Sequence, residues 1–241
     1  RRQGFTGIRW MKMTDPWAGE APSNTGSFLI WQQPHYIYMA EELYRTNPIE
    51  ETLKKYAEQV EATAEFMADF VSFDKTSKRY FLKGETAMQE SMSKDFSYNH
   101  PFELAYWQYG LSIANQWRER QGKPRHSQWD DIIRRLSLLP EADGIYTAGL
   151  PTGQTNNLSS FDPFDAGASG AKATVSTETF ASKCRSDHPA ILGACGILPS
   201  NKVPYTLLYD MEKMKATLDW VMKNWNWATT WGWDYGMIAM A

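Results

Sequence analysis

The chain has 241 residues, enough for one large hydrophobic core and one or two domains. A formal net charge of −3, with no basic run, gives no electrostatic reason to expect nucleic acid or an anionic membrane surface as a partner. No apolar run approaches the ~18 residues that a membrane-spanning helix needs. With 11 Trp, 12 Tyr and 11 Phe, some rings must lie at the edge of the core, where they suit a carbohydrate site as well as helix packing.

Helical patterns begin after an irregular stretch, residues 1–32. A first helix is predicted to start near Pro34, because proline suits the first turn of a helix. Asn47 is expected to cap a second helix, since Glu50 follows it at the spacing of a capping box. Residues 73–82 then have the pattern of a short β-hairpin.

The middle of the chain predicts two more helices and a long loop. The third helix is expected to run from its cap at Asn99 to Gly122, a typical C-terminal stop. Ser127 is expected to cap the fourth, which is predicted to end before Pro140. Residues 147–176 have the composition of a long loop, and such loops in compact domains usually line a site or are disordered.

The C-terminal part continues the alternation of helices and loops. Asp187 or Ser186 is expected to cap a short helix, residues 206–224 predict another, and residues 225–241 read as a tryptophan-rich loop that enters a final helix. This succession predicts an all-α fold whose long loops gather on one face. Strands are expected only in short hairpins, one of them near residues 144–148.

Common cofactor and metal motifs are absent from the sequence. Cys184 and Cys195 have neither a zinc-site nor a redox spacing, and no GxGxxG, P-loop, HExxH or GxSxG motif occurs. We therefore expect no cofactor and no metal. The sequence lacks an initiator Met and stops within a predicted helix, so we interpret it as a fragment of a longer protein or a processed chain, and the missing signal peptide does not indicate a compartment.

Two glutamates in residues 83–110 lie among aromatic and sulfur side chains. A loop carboxyl such as Glu90, close in sequence to Met88 and Met92, can be desolvated, which raises its pKa and suits it to donate a proton. Glu103 falls in or near the first turn of the third helix, where the helix dipole favours the ionised form and a hydroxyl-accepting role. A glutamate that is simply favoured near a helix start explains Glu103 equally well.

Four segments carry a family resemblance. WQQPHYIYMAEELYR, then NHPFELAYWQYG after a loop glutamate, then SDHPAILGACGILP and NWNWATTWGWDYGM resemble the catalytic domain of six-hairpin glycosidases. These (α/α)6-toroid enzymes include maltose-phosphorylase-like, glucoamylase-like and inverting α-L-fucosidase-like families. The resemblance spans most of the chain as a single catalytic domain, residues 1–241. A full toroid has twelve helices and fewer are predicted here, so the resemblance implies an incomplete barrel or helices that the patterns miss.

The resemblance implies a pair of catalytic carboxyls. In these families the general acid lies on a loop shortly before an inner helix, in segments such as G-P-N-E-Y or S-P-E-N. The A-M-Q-E-S segment puts Glu90 at that position, although its middle departs from the family forms. An inverting hydrolase also needs a base, with about 6.5–9.5 Å between the carboxyls. Asp234 in TTWGWDYGM is the candidate, and an N-cap role explains it nearly as well.

The same segments supply candidate sugar contacts. WQQPH offers a ring, two amides and an imidazole just before a helix, although capping and a satisfied histidine explain that segment equally well. SDHP adds a carboxylate and an imidazole, of which the carboxylate has a helix-capping alternative. Asp15 and Glu20 on the first loop could also reach the pocket. The expected substrate contacts are Trp31, Gln32, Gln33, His35, Trp107, Asp187, His188, Trp231 and Trp233.

The resemblance therefore implies a glycoside hydrolase that acts on an oligosaccharide or glycoside with inversion and without a cofactor. Glu90 would protonate the leaving oxygen, Asp234 would deprotonate water, and Glu103 would hold a sugar hydroxyl. Phosphorolysis and a non-catalytic glycan-binding domain are the alternatives, and the lack of a basic cluster near these motifs favours water over phosphate. The resemblance favours a secreted or periplasmic location. Sugar identity, linkage and oligomeric state stay open.

Overall fold

The fold is defined by a computed structural model, and most of the described residues are helical. The predicted dominance of helix is therefore confirmed. The structure describes residues 4–23, 26, 28–82, 88–89, 96–151, 185–199 and 209–241.

Six α-helices occur in the described residues, and two 3-10 segments accompany them, Ala190–Ala194 and Trp227–Thr229. The predicted short helix after Asp187 is the first of these 3-10 segments. The other predicted helices are α-helical, with ends close to the expected ones. In chain order they are α1 His35–Thr46, α2 Glu50–Phe70, α3 Pro101–Arg120, α4 Ser127–Arg135, α5 Met211–Asn224 and α6 Gly232–Met240.

The described strands form three two-stranded antiparallel sheets. The hairpin predicted at residues 73–82 is confirmed, and its turn is held by a bond from the Ser77 N–H to Asp74 Oδ2 (2.7 Å). The hairpin expected near residues 144–148 begins slightly earlier. The third sheet was not predicted, because strands this short show no alternating pattern. The pairs are β1 Ser72–Asp74 with β2 Arg79–Phe81, β4 Glu141–Ala142 with β5 Ile145–Tyr146, and β3 Phe96–Tyr98 with β6 Leu150–Pro151.

Four predicted helix caps were wrong. Asn47 follows α1 rather than capping α2. Asn99 has φ 52° and its Oδ1 accepts a bond from the Leu82 N–H, while His100 occupies the N-cap position of α3. Ser127 is the first residue of α4, and His126 occupies its N-cap position. Asp187 has φ 69°, and the 3-10 segment begins three residues after it. Asn and Asp tolerate left-handed backbone in turns as well as they cap helices, so the sequence pattern did not separate the two roles.

Helix α3 lies at the centre of the fold and packs against α1, α2, α4 and the 3-10 segment Ala190–Ala194. Sixteen of its 20 residues are buried, so it has no solvent-facing stripe over most of its length. Trp107, Tyr109 and Trp117 are its largest fully buried side chains. The core is therefore built around one helix whose polar groups also lie away from water.

One buried carboxylate joins α1 to the C-terminal half of α3. Glu41 is fully buried and accepts hydrogen bonds from Trp117 Nε1 (2.8 Å), from both terminal nitrogens of Arg120 (2.5 and 3.0 Å) and from Arg45 Nε (2.7 Å). Burial raises the pKa of Glu41, but the bonds from Arg120 and Trp117 outweigh burial, and the pKa is lowered overall. The carboxylate is thus held in its charged form inside the fold.

We expect Glu41→Gln to lower the free energy of unfolding by about 3 kcal/mol, the lower end for breaking a buried pair, because Arg120 stays partly exposed. Urea denaturation at pH 7 measures the loss. Since folding lowers the pKa of Glu41 below its ordinary 4.5, this stabilisation is present above that value and is lost as the pH falls further. Glu50→Gln, which breaks an exposed pair with Lys54 that solvent screens, should leave stability nearly unchanged. Equal losses in the two variants would contradict the assignment.

Candidate functional site

Three segments meet at the N-terminal end of α3. The Met88 N–H donates to Glu103 Oε1 (2.9 Å), and Gln89 Nε2 donates to the Ser186 carbonyl (2.8 Å). These two bonds connect the loop before β3 with both the start of α3 and residues 185–189. They assemble segments that are far apart in the sequence.

Helices α3 and α6 pack on the same 3-10 segment. A side-chain carbon built on Gly193 would lie 2.9 Å from Phe102 Cδ2 and 3.3 Å from Met237 Sδ, so only glycine admits this approach. Phe102 precedes Glu103 on α3, and Met237 lies one turn after Asp234 on α6. Two of the predicted carboxyls therefore belong to helices that share one packing partner.

Glu103 is fully buried at the start of α3. Its Oε1 accepts the Met88 N–H, while Oε2 receives no hydrogen bond from the described residues. Burial raises its pKa from 4.5 to about 7, against the smaller lowering by hydrogen bonds from the backbone N–H groups of Met88 and Glu103 itself. The expectation that the helix dipole keeps Glu103 ionised was wrong, because desolvation is the larger effect. Burial therefore favours the protonated form of Glu103 well above the ordinary pKa of 4.5.

Asp234 is fully buried in the first turn of α6 and pairs with His188. Its two oxygens lie 3.0 and 3.1 Å from His188 Nδ1, and Oδ2 also accepts the Trp231 N–H (2.7 Å). Trp231, not Asp234, occupies the N-cap position, and Asp234 accepts the N-cap N–H from the third helical position, so the N-cap alternative was wrong in its position. Asp234 also joins the helix to the SDHP segment. Its carboxylate does not reach solvent.

His188 is the partly exposed member of this pair. Its side chain is 15% exposed, and its Nε2 lies 3.5 Å from Asp187 Oδ1. The ring centroid lies 4.5 Å from that of Trp233 and 5.9 Å from that of Trp231. The two tryptophans are 46% and 61% exposed, respectively. The structure therefore brings four predicted site residues around the buried Asp234.

The backbone at Asp187 orients the adjacent imidazole. Its N–H donates to Thr229 Oγ1 (2.8 Å), and its carbonyl accepts a bond from Trp225 Nε1 (3.0 Å). These bonds hold the left-handed φ of 69°, a conformation that aspartate tolerates. Sequence reasoning missed Thr229 and Trp225, because neither has a local pattern that reveals a partner so distant along the chain.

The two amides of WQQPH bind the N-terminal loop rather than facing a pocket. Gln33 exchanges two hydrogen bonds of 2.7 Å with the backbone N–H and carbonyl of Trp10. Gln32 Nε2 donates to the carbonyls of Trp10 and Leu29, both at 3.2 Å. Both side chains are buried. Their expected sugar contacts are therefore not supported, because the amides are used to anchor residues near Trp10.

Trp31 and His35 lie against the N-terminal half of α3. Trp31 is partly buried with its ring edge-on to His35, and His35 Nδ1 lies 2.8 Å from the Tyr106 hydroxyl. Tyr106 is one helical turn beyond Glu103. Burial lowers the pKa of His35, so its ring is neutral near pH 7. These two residues therefore stay candidates for the α3 side of the site.

Trp107 belongs to the core and not to a binding surface. It is fully buried, its Nε1 donates to the Met67 carbonyl (2.9 Å) and its ring packs against Phe70 on α2. The prediction that it contacts a sugar assumed the opposite face of α3. A residue turned toward α2 with its only polar atom occupied serves packing.

Three other predicted carboxyls, Glu90, Asp15 and Glu20, are not placed at this site by the described contacts. Glu90, the predicted acid, lies outside the described residues, directly after Gln89 in the chain, and so do most of residues 147–176. Asp15 is exposed, and its Oδ1 accepts the N–H groups of Trp17 and Gly19, which closes a turn of the first loop. Glu20 is exposed on the same loop. Neither is placed near the His188–Asp234 pair by any described contact.

No group of three His, Cys, Asp or Glu side chains is arranged to hold a metal ion in the part of the chain that the structure describes. None of the described helices is both long and apolar enough to cross a bilayer. No family model matches the chain. A search of curated proteins finds no relative of it.

We expect Glu103→Gln to change the pH dependence of stability. Because folding raises the pKa of Glu103 above its ordinary 4.5, the native state binds more protons than the unfolded state between pH 4.5 and about 7, and stability falls with rising pH. At ~1.4 kcal/mol per pKa unit, the loss is about 3 kcal/mol. Glutamine keeps an acceptor for the Met88 N–H and carries no charge, so the variant should gain that amount relative to the wild type.

Urea denaturation at several values between pH 4.5 and 8 measures this difference. The exposed Glu58 on α2 provides the matched control, and Glu58→Gln should run parallel to the wild type over the whole interval. A Glu103→Gln curve that is also parallel to the wild type would show that the carboxyl is ionised at no cost.

Proposed function

We propose that the chain is the catalytic domain of a glycoside hydrolase, or the larger part of one, which cleaves a glycosidic bond with inversion. The (α/α)6 toroid of helical hairpins is the architecture that we propose for the whole domain. The observation that carries the proposal is the surface around His188 and Asp234. There, two exposed indoles lie near a pair formed by a buried carboxylate and a partly exposed imidazole. The 3-10 segment beside this surface also packs against the start of α3, where burial raises the pKa of Glu103 to about 7.

The exposed indoles support a sugar as the ligand. Trp231 and Trp233 keep much of their apolar surface in solvent, and both lie near the same imidazole. A pyranose ring presents C–H groups that can lie on such faces, and hydroxyls that can bind nearby carboxyl and imidazole groups. The exposure of the two indoles next to polar groups thus favours a carbohydrate-binding surface.

Proton transfer in this proposal uses two sides of the site. Glu90, taken from the sequence alone, donates a proton to the leaving oxygen. The Asp234–His188 pair supplies the base that activates water. Glu103 is fully buried, so it supports the site from inside the fold rather than contacting a sugar hydroxyl. The Gln89 side chain, immediately before Glu90, is bonded to the Ser186 carbonyl within the segment that carries His188. That bond supports the idea that acid and base serve one site.

A non-catalytic glycan-binding domain is the second candidate, and one observation favours it. Asp234 is fully buried with both oxygens hydrogen-bonded, so its carboxylate cannot contact a water molecule in the surrounding solvent. If no other group acts as base, the aromatic surface would bind sugars without cleaving them.

Activity should be tested on a panel of aryl glycosides with and without inorganic phosphate, with the anomer of the first-formed product followed by NMR. We expect hydrolysis without phosphate, an inverted anomer, and a drop in turnover of about 10²–10⁴-fold for Glu90→Gln. Substrates with good leaving groups need less protonation and should lose less. Glu58→Gln is the matched control and should keep full activity. A phosphate requirement would point to phosphorolysis, and binding with no turnover to the glycan-binding candidate.

The aromatic surface has its own prediction. Trp233→Ala should weaken substrate binding about 5–10-fold, because a stacked ring is worth ~1 kcal/mol or slightly more. The measurement is KM, or the dissociation constant of a bound product by calorimetry. Trp17→Ala is a suitable control, since Trp17 is 85% exposed on the first loop and is not placed near the pair by any described contact. Equal effects of the two variants would argue against a sugar surface at Trp233.

A further inference from the structure

We propose that His188 Nε2 is the atom that accepts the proton of the attacking water, and that Asp234 acts only by positioning His188. The inference rests on the proposed glycoside hydrolysis and assigns the base within it. It replaces the carboxylate base expected from sequence by an imidazole that the carboxylate orients.

The hydrogen bonds fix which ring nitrogen can act. An ionised carboxylate only accepts hydrogen bonds, and both oxygens of Asp234 lie 3.0–3.1 Å from His188 Nδ1. A proton on Nδ1 satisfies that arrangement, and the neutral ring then carries its lone pair on Nε2. A carboxylate that sets the tautomer of a histidine in this way is a recurrent arrangement in proteins.

Asp234 and His188 differ in their exposure to solvent. Asp234 has no exposed surface, and its Oδ2 is additionally bound by the Trp231 N–H, so it cannot contact substrate or water. His188 is partly exposed, and its ring lies near Trp231 and Trp233, the proposed sugar surface. The imidazole is therefore the member of the pair that can meet a water molecule next to a bound ring.

Asp187 completes the geometry. Its Oδ1 lies 3.5 Å from Nε2, longer than the 2.7–3.2 Å of a good hydrogen bond. A water molecule at Nε2 would therefore lie close to the Asp187 carboxylate. The left-handed turn, held by Thr229 and Trp225, keeps the aspartate in this position.

The step balances with groups already named. Water gives one proton to His188 Nε2 while its oxygen bonds to the anomeric carbon, opposite the leaving group. The glycosidic C–O bond breaks, its electron pair goes to the leaving oxygen, and that oxygen takes the proton of Glu90. The Asp234 carboxylate stabilises the imidazolium. After product release, the imidazolium loses its proton to solvent and Glu90 regains one, so that one water is consumed per bond.

Asp234→Asn tests the positioning role. Asparagine has a single acceptor oxygen, and if the Trp231 N–H keeps it, the amide NH₂ faces Nδ1 and forces the proton onto Nε2. We expect kcat to fall about 10²–10⁴-fold with KM nearly unchanged. The ¹⁵N NMR spectrum should show His188 protonated at Nδ1 in the wild type and at Nε2 in the variant. A wild-type ring protonated at Nε2, or an Asp234→Asn enzyme with normal kcat, would overturn the inference.

His188→Asn tests the base itself while preserving the fold, because the asparagine NH₂ can replace Nδ1 as donor to Asp234 but offers nothing at the place of Nε2. We expect the same loss of kcat with an unchanged melting temperature. Added imidazole should restore part of the activity of His188→Ala. His126→Ala is the control, since His126 stacks on Trp129 at the start of α4, and it should keep full kcat.

The outcomes separate the inference from the function on which it rests. A wild-type protein that cleaves no glycoside overturns the proposed function and this inference together. A wild-type protein that cleaves glycosides, with His188→Asn equally active, overturns only the inference and leaves another group as the base.

Discussion

Burial of α3 along nearly its whole length means that a polar side chain on it is satisfied by a partner inside the protein or stays unsatisfied, as the Tyr109 hydroxyl does among the described residues. An unsatisfied buried donor or acceptor costs ~1–3 kcal/mol, so these partners fix the helix as firmly as its apolar contacts do. Trp117 donates to Glu41, and Trp107 donates to the Met67 carbonyl. The Asn115 amide bonds the backbone of His126 in both directions. Each of α1, α2 and the start of α4 is thereby hydrogen-bonded to α3. Sliding any of these helices along α3 by one turn would break its bond.

The same constraint shapes the site at the start of α3. His100 and Glu103 are both buried there, and burial lowers the pKa of His100 to about 4 while it raises that of Glu103 to about 7. Both effects favour the neutral form. His100 keeps one bond, from Nδ1 to the Ala148 carbonyl. The N-terminal end of α3 is thus a region of low charge. The C-terminal half of α3 differs, because its Trp117 and Arg120 donate hydrogen bonds to the ionised Glu41 of α1.

The sequence was informative where structure is decided locally. The boundaries of α2 and α3 follow from apolar spacing and stop signals, and the hairpin from Asp74 to Arg79 follows from turn chemistry. The sequence failed where partners are distant. Nothing near Gln33 indicates that its amide would bind Trp10, and α3 has no polar stripe that shows which way Trp107 faces. Glu103 was misjudged because a dipole effect can be read from position in a helix, whereas burial depends on the whole fold.

The arrangement around Asp234 follows from the same competition between charge and burial. A carboxylate at a helix start is stabilised by the N–H groups of the first turn, and here the Trp231 N–H supplies that bond. The negative charge of Asp234 is stabilised by this bond, but the carboxylate has no contact with solvent. Pairing with His188 joins this buried carboxylate to an imidazole that is partly exposed and lies near two exposed indoles. The buried carboxylate can orient the ring while the ring keeps access to solvent, two requirements that a single carboxylate cannot meet at once.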